Sequence, residues 1–108
     1  MSADLGDLGR FAEPSLLILV SLSAGPNHGY VIMEDVEAIG GSRIGPGTLY
    51  AALARLEARG LIEALSPQDR RRPYRLTALG ATTLRAQLEG LEGFARTGLR
   101  RLEGSRLA

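Results

Sequence analysis

The chain has 108 residues, enough for one domain with a modest core, and its apolar fraction of 44 % excludes a disordered tail. It has no cysteine, which excludes disulfides, thiol catalysis and thiolate metal sites, and a single histidine does not furnish a histidine-rich metal site. The net charge of +1 conceals a gradient: residues 1–41 sum to −5, residues 42–75 to +4 and residues 76–108 to +2, and all thirteen basic residues are Arg.

The first twelve residues form an acidic lead-in that can dock on a partner as a short helical turn. Pro14 suits the first turn of a helix, where its missing N–H has no partner to lose. The segment PSLLILVSLS that follows is apolar almost all round, which predicts a buried helix. Its apolar run, Leu16 to Leu22, is too short to span a bilayer, and no basic flank with a cleavage site precedes it. A cytoplasmic protein without a membrane partner is expected.

Gly25-Pro26 ends the first helix. Asn27 then serves as N-cap of a second helix from about His28 to Ile39, which Gly40-Gly41 stops. Glu34, Asp35 and Glu37 lie outside on it, as a solvated face.

A third helix is predicted from near Pro46. Leu49, Ala52, Leu53 and Leu56 recur at helical spacing as its inner stripe, and Gly60 ends it. Thr48, Tyr50 or Ala51, Arg55 and Arg59 remain on the outside. LIEAL (Leu61 to Leu65) and PYRLT (Pro73 to Thr77) read as two strands joined by the seven-residue loop SPQDRRR. Thr77 caps a last long helix, which Gly80 interrupts near its start.

The expected fold is therefore mainly α with a small β-hairpin. Three helices followed by a hairpin give the winged helix-turn-helix plan, here with a further C-terminal helix. In that plan the third helix enters the major groove of double-stranded DNA and the hairpin lies on the neighbouring backbone or minor groove. The boundaries follow: 1–12 lead-in, 13–77 DNA-binding domain, 78–108 C-terminal dimerisation helix.

Three segments carry a family resemblance: LLILVSLSAGPNHGYVIMEDVE, GPGTLYAALARLEARGLIE and RRRPYRLTALG. In this order and at this separation, from Leu16 to Gly80, they resemble the PadR family of bacterial transcriptional regulators. The resemblance implies a winged helix-turn-helix and a dimer built through the C-terminal helix. It also implies a repressor on a palindromic operator, often beside its own gene. The short last helix is similar to that of the smaller members. Thr48-Leu49-Tyr50 matches the family triplet at the DNA-facing start of the third helix, and His28-Gly29-Tyr30 matches its motif at the start of the second. Some members hold flat aromatic effectors at the dimer interface, one kind in a Trp sandwich. This chain has no Trp, and Phe94 and Phe11 are the aromatics of its last helix and lead-in. A small-molecule effector thus stays unassigned, and no cofactor is expected.

Candidate DNA contacts follow. Free N–H groups near Gly47 and Thr48 can point at a phosphate. Thr48 and Tyr50 offer hydroxyls, Tyr50 with packing as its other use. Ala51 allows close approach, and Arg55 reaches a base edge or phosphate, or stays solvated. Arg70, Arg71 and Arg72 form the densest positive charge of the chain; three adjacent guanidiniums repel one another, and a run of phosphates relieves that. Arg75 is expected outward and Tyr74 inward. Arg43 precedes the third helix, where a backbone contact is plausible. Tyr30 touches the backbone or packs in the core, and His28 caps or sits at the surface.

On the last helix Leu84, Leu88, Leu91, Ala95, Leu99 and Leu102 make a seam whose early steps alternate four and three. A second copy of the chain covers it most economically, giving a homodimer; folding back on its own domain is the other solution. Gly90, Gly93 and Gly98 weaken the helix and permit close contact or a bend. With no Cys, one His and no paired acids in a pocket motif, no catalytic constellation is present in the sequence, and an enzyme is not expected. A winged-helix protein–protein module is the alternative function, and it predicts no salt-dependent DNA affinity.

Overall fold

A short buried helix, α1 (Pro14–Ser23), is the hub of the fold in a computed structural model that describes residues 13–40 and 43–105. The lead-in 1–12, Gly41, Ser42 and the last three residues lie outside the described residues. Pro14 sits in the first turn as expected, and Leu17, Ile18, Leu19 and Leu22 are all buried. After α1 come β1 (Asn27–His28), α2 (Gly29–Gly40), α3 (Pro46–Ala58), β2 (Ile62–Ala64), β3 (Pro73–Leu76) and α4 (Ala78–Glu103). The core joins Ile18 of α1, Ile32 and Val36 of α2, Leu49 and Leu53 of α3, and Ile62 of β2, each essentially inaccessible to water.

The start and end of α3 follow from its sequence. Gly45 is the N-cap and its carbonyl accepts from Leu49 N–H at 3.0 Å. At the other end Gly60 has φ of 74°, a conformation that glycine adopts without Cβ crowding. Leu61 N–H donates to Leu56 O at 3.0 Å and Gly60 N–H to Glu57 O at 3.0 Å, which satisfies the last carbonyls by a Schellman arrangement. The helix stops there and the chain turns into the sheet.

Two expectations are corrected and one is refined. First, Asn27 does not cap α2. Asn27 and His28 form β1, pairing with Tyr74 and Pro73 of β3, so the sheet has three strands in the order β1-β3-β2. Without them one edge of β3 would lack partners for its backbone groups.

Second, the seven-residue loop lies between the strands as expected but is not open to its tip: Gln68 and Arg71 exchange backbone hydrogen bonds of 2.7 and 2.8 Å, while Ser66, Pro67 and Arg72 have no strand pairing. Asp69 and Arg70 form the turn that this pair closes, both at positive φ.

Third, Gly80 does not interrupt α4, which runs unbroken from Ala78 to Glu103. Thr77 Oγ1 accepts from Gly80 N–H at 3.0 Å and donates to Gly60 O at 2.6 Å, while Thr77 N–H donates to Leu61 O at 3.1 Å. A Cβ on residue 80 would lie 2.0 Å from Leu61 O. Glycine is there so that the start of α4 can seat against the turn that follows α3.

The 26 residues of α4 span about 39 Å, well beyond the domain that its first turns touch. No helix among the described residues is long and apolar enough to cross a membrane.

Candidate nucleic-acid interface

The inner stripe of α3 fixes which residues it shows. Because Leu49, Ala52, Leu53 and Leu56 are buried, Gly47, Thr48, Tyr50, Ala51 and Arg55 are exposed on the opposite side. Arg43 is exposed in the turn before it. Beside this helix stands the β2–β3 hairpin, whose closed tip carries Arg70, Arg71 and Arg72, all exposed.

Between helix and hairpin runs a groove of about 350 Å³. Tyr30 from the start of α2, Tyr50 from α3, and Arg70, Arg71 and Arg72 from the hairpin line it together with His28, Gly29 and Tyr74. Residues from three separate stretches of sequence thus meet on one polar, cationic surface. Tyr30 and Tyr50 are 60 % and 52 % exposed, so neither is a core residue.

Two members of this surface had no clear role in the sequence. His28 Nε2 accepts from Arg71 Nη1 at 3.3 Å, which holds that guanidinium back against β1. The two-residue strand that places His28 there has too little pattern to be read locally. Gly29 lies under Tyr50: a Cβ on it would stand 2.5 Å from the Tyr50 hydroxyl. The small residue leaves the phenol room to lie across the start of α2.

Arg75 is exposed, as expected, but it is engaged. Its guanidinium bonds the Glu63 carboxylate directly across the β2–β3 ladder. Its charge is partly neutralised there, unlike that of the hairpin tip. Tyr74 points to the inner side and packs on the core. Burial raises its phenol above the ordinary tyrosine value; Glu57 adds to the rise, Arg72 opposes it and Tyr50 adds slightly. The group remains a neutral hydrogen-bonding phenol.

A second surface lies away from the groove, along α4. Leu84 is buried in its own domain's core, so the open part of the seam begins at Leu88. Leu88, Leu99 and Leu102 are all exposed, as is Phe94 at 77 %, while Leu91 is half-buried and Ala95 exposed. Leu88, Leu91, Phe94 and Ala95 also face Leu16, Leu17 and Val20 of α1 and Ile39 of α2 across an apolar groove of about 510 Å³. Gly90, Gly93 and Gly98 have no heavy atom within 4 Å of where a Cβ would be, and α4 is helical throughout at all three. Among the described residues no group of three or more His, Asp or Glu stands together as a metal site.

The model of the Transcriptional regulator PadR-like family matches residues 18–86. The chain belongs to the PadR-like family. The matched stretch contains the second half of α1, the sheet, α2, α3 and the first turns of α4, so most of the winged domain of this PadR-like regulator is covered. Solved structures agree. A transcriptional regulator from Clostridium thermocellum is 29 % identical with a TM-score of 0.69, over 81 % of this chain and 87 % of that one. A PadR family regulator from Eggerthella lenta is 28 % identical with a TM-score of 0.63, over 83 % of each chain. A PadR family regulator from Clostridium difficile, 24 % identical, shares the fold with a TM-score of 0.74, over 82 % of this chain and 97 % of that one. Among curated proteins, an uncharacterized 37.1 kDa protein in transposon TN4556 of Streptomyces fradiae is 42 % identical over 82 residues, 76 % of this chain. The PadR-like chain spans 24 % of that relative's length.

Proposed function

We propose that this transcriptional regulator is a sequence-specific DNA-binding repressor, acting in the cytoplasm as a homodimer on a palindromic operator. The observation that carries the reading is the groove that joins the exposed face of α3 to three wing arginines. A helix sized for a major groove and a cationic hairpin beside it face the same way, and phosphate is the natural counterion of that surface.

On this reading residues 13–77 bind DNA and residues 78–108 pair two copies. Gly47, Thr48, Tyr50, Ala51 and Arg55 approach the major groove. Tyr30 and Arg43 touch the backbone, Arg70, Arg71 and Arg72 hold phosphates, and Arg75 adds to the field from within its ion pair. Leu88, Leu91, Ala95, Leu99 and Leu102 form the pairing seam, which Leu84 anchors to the core. Two recognition helices about 34 Å apart match half-sites one DNA turn apart.

The test is a fluorescence anisotropy titration of the DNA upstream of the chain's own gene against a scrambled duplex, at several salt concentrations. Six wing arginines in a dimer give a slope of about −5 in log K against log salt. Tight, salt-sensitive binding to the first duplex alone supports the reading. Equal and weak binding to both, lost at physiological salt, favours a winged-helix protein–protein module instead.

A further inference from the structure

His28 is the one histidine of the chain, and it stands where two elements meet. β1 sets it opposite Pro73 at the edge of the sheet, and it lines the groove between α3 and the hairpin. Its contact with Arg71 joins residues 43 apart in sequence. A guanidinium donates and never accepts, so the bond of 3.3 Å uses the lone pair of Nε2. A proton on Nε2 would take that lone pair away and set a second cation against the guanidinium.

The neighbours of the ring decide what such a proton would meet. Tyr30 lines the groove from α2 and Tyr50 from α3, while Arg70, Arg71, Arg72 and Tyr74 line it from the hairpin. Three of these are cations and none is a carboxylate. Of the acids nearby in the fold, Glu63 is taken up by Arg75, Asp69 lies in the turn at the tip, and Glu57 acts on the Tyr74 phenol without lining the groove. The groove therefore offers an imidazolium no anionic partner of its own.

A phosphate changes both members of the pair. It is a better acceptor for Arg71 than an imidazole, because that hydrogen bond is charge-assisted on both sides. Once Arg71 has turned to it, the Nε2 lone pair is free, and the negative charge beside the ring favours a proton there. Imidazole is the side chain that exchanges a proton with water between about pH 5 and 8.

We propose that His28 is a proton-coupled latch on Arg71. In the free chain Nε2 holds the guanidinium. On a duplex Arg71 passes to a phosphate, Nε2 takes a proton from solvent, and the ring becomes a further cation of the interface. This rests on the DNA-binding reading above. The bound chain then carries up to one proton more per protomer than the free chain, so affinity rises as pH falls through the imidazole range.

With a single histidine in the chain, its ring signals in a proton NMR spectrum of the untagged protein belong to His28. The probe is a short duplex of arbitrary sequence at low salt, since phosphate contacts carry no sequence information. At constant pH near 7, saturating duplex should move the ring signals toward their protonated position. In anisotropy titrations wild-type affinity should rise about tenfold or more from about pH 7.5 to 5.5. His28→Gln keeps an oxygen that accepts from Arg71 and takes no proton in this range. It should match wild type within about twofold at pH 8 and lack the extra rise at low pH.

The latch is overturned if the ring signals stay in place while the duplex binds. It is equally overturned if wild type and His28→Gln change affinity with pH in parallel, or if wild type binds more weakly on acidification. A wild type that binds no duplex at low salt at any of these pH values overturns the DNA-binding reading itself.

Discussion

Replacing Gly80 by Ala tests the junction between α3 and α4. The added methyl would stand 2.0 Å from Leu61 O and 2.9 Å from Leu76 Cδ1. The carbonyl belongs to the backbone of a capped turn, so the start of α4 must retreat by roughly 1 Å to reach ordinary contact. That retreat breaks two hydrogen bonds, Thr77 N–H to Leu61 O and Thr77 Oγ1 to Gly60 O, each worth about 1 kcal/mol net. Overpacking adds about 1–3 kcal/mol, and the better helix propensity of Ala returns about 1 kcal/mol. A loss of about 2–4 kcal/mol results, or roughly 10–20 °C in Tm for a domain of this size. Gly90→Ala and Gly93→Ala are the controls, because open space surrounds both. They should gain up to about 1 kcal/mol each. The measurement is thermal unfolding by circular dichroism at one protein concentration. If Gly80→Ala raised Tm as the controls do, the reasoning would be refuted.

Three further predictions follow from other parts of the structure. Tyr74 keeps its proton in the folded state above the ordinary value of 10.0, so the unfolded chain loses that proton first and stability falls as pH rises from about 10 toward the folded value. Tyr74→Phe removes this component, and its urea midpoint should fall less steeply than wild type between about pH 10 and 11; parallel profiles would sink the idea. Leu99 is 61 % exposed in one chain, so Leu99→Glu should change monomer stability by no more than about 0.5 kcal/mol while sedimentation shifts from dimer to monomer; an unchanged mass would remove Leu99 from the seam. Gly29→Ala pushes on the tip of the Tyr50 side chain, which swings aside, so Tm should move by less than about 1 kcal/mol equivalent while DNA affinity drops; full affinity would show that the position of Tyr50 does not matter.

What could be read in the sequence was whatever short-range periodicity encodes. The stripe of Leu49, Leu53 and Leu56, the stop at Gly60, Pro14 and Pro46 in first turns, and the Thr77 cap are each set by neighbours within a few residues, and each is found as expected. What could not be read depends on distant partners. β1 is two residues long and exists because the edge of β3 is near. Gly80 looks like a helix breaker until the Leu61 carbonyl is placed above it. The wing turn lacks the Asn-Gly or Asp-Gly signature of its type, since Arg70 fills the glycine position. In the candidate site, Tyr30, Tyr50 and the arginine run were each identifiable as residue types. Their convergence on one groove was not, nor were the engagement of Arg71 by His28 and of Arg75 by Glu63.

The seating of Thr77 and Gly80 on the Gly60–Leu61 turn also makes the molecule a crank. The turn that releases α3 is the bearing on which α4 is mounted, so the two helices share one pivot. A sideways movement of ~4 Å at the far end of α4, over its ~39 Å length, is a rotation of about 6° at that pivot. Carried along the ~20 Å of α3, the same rotation displaces its outer end by ~2 Å, more than half the 3.4 Å rise of a base pair. Were the two helices to turn as one body on that joint, the angle of the long arm would set the alignment of the short one.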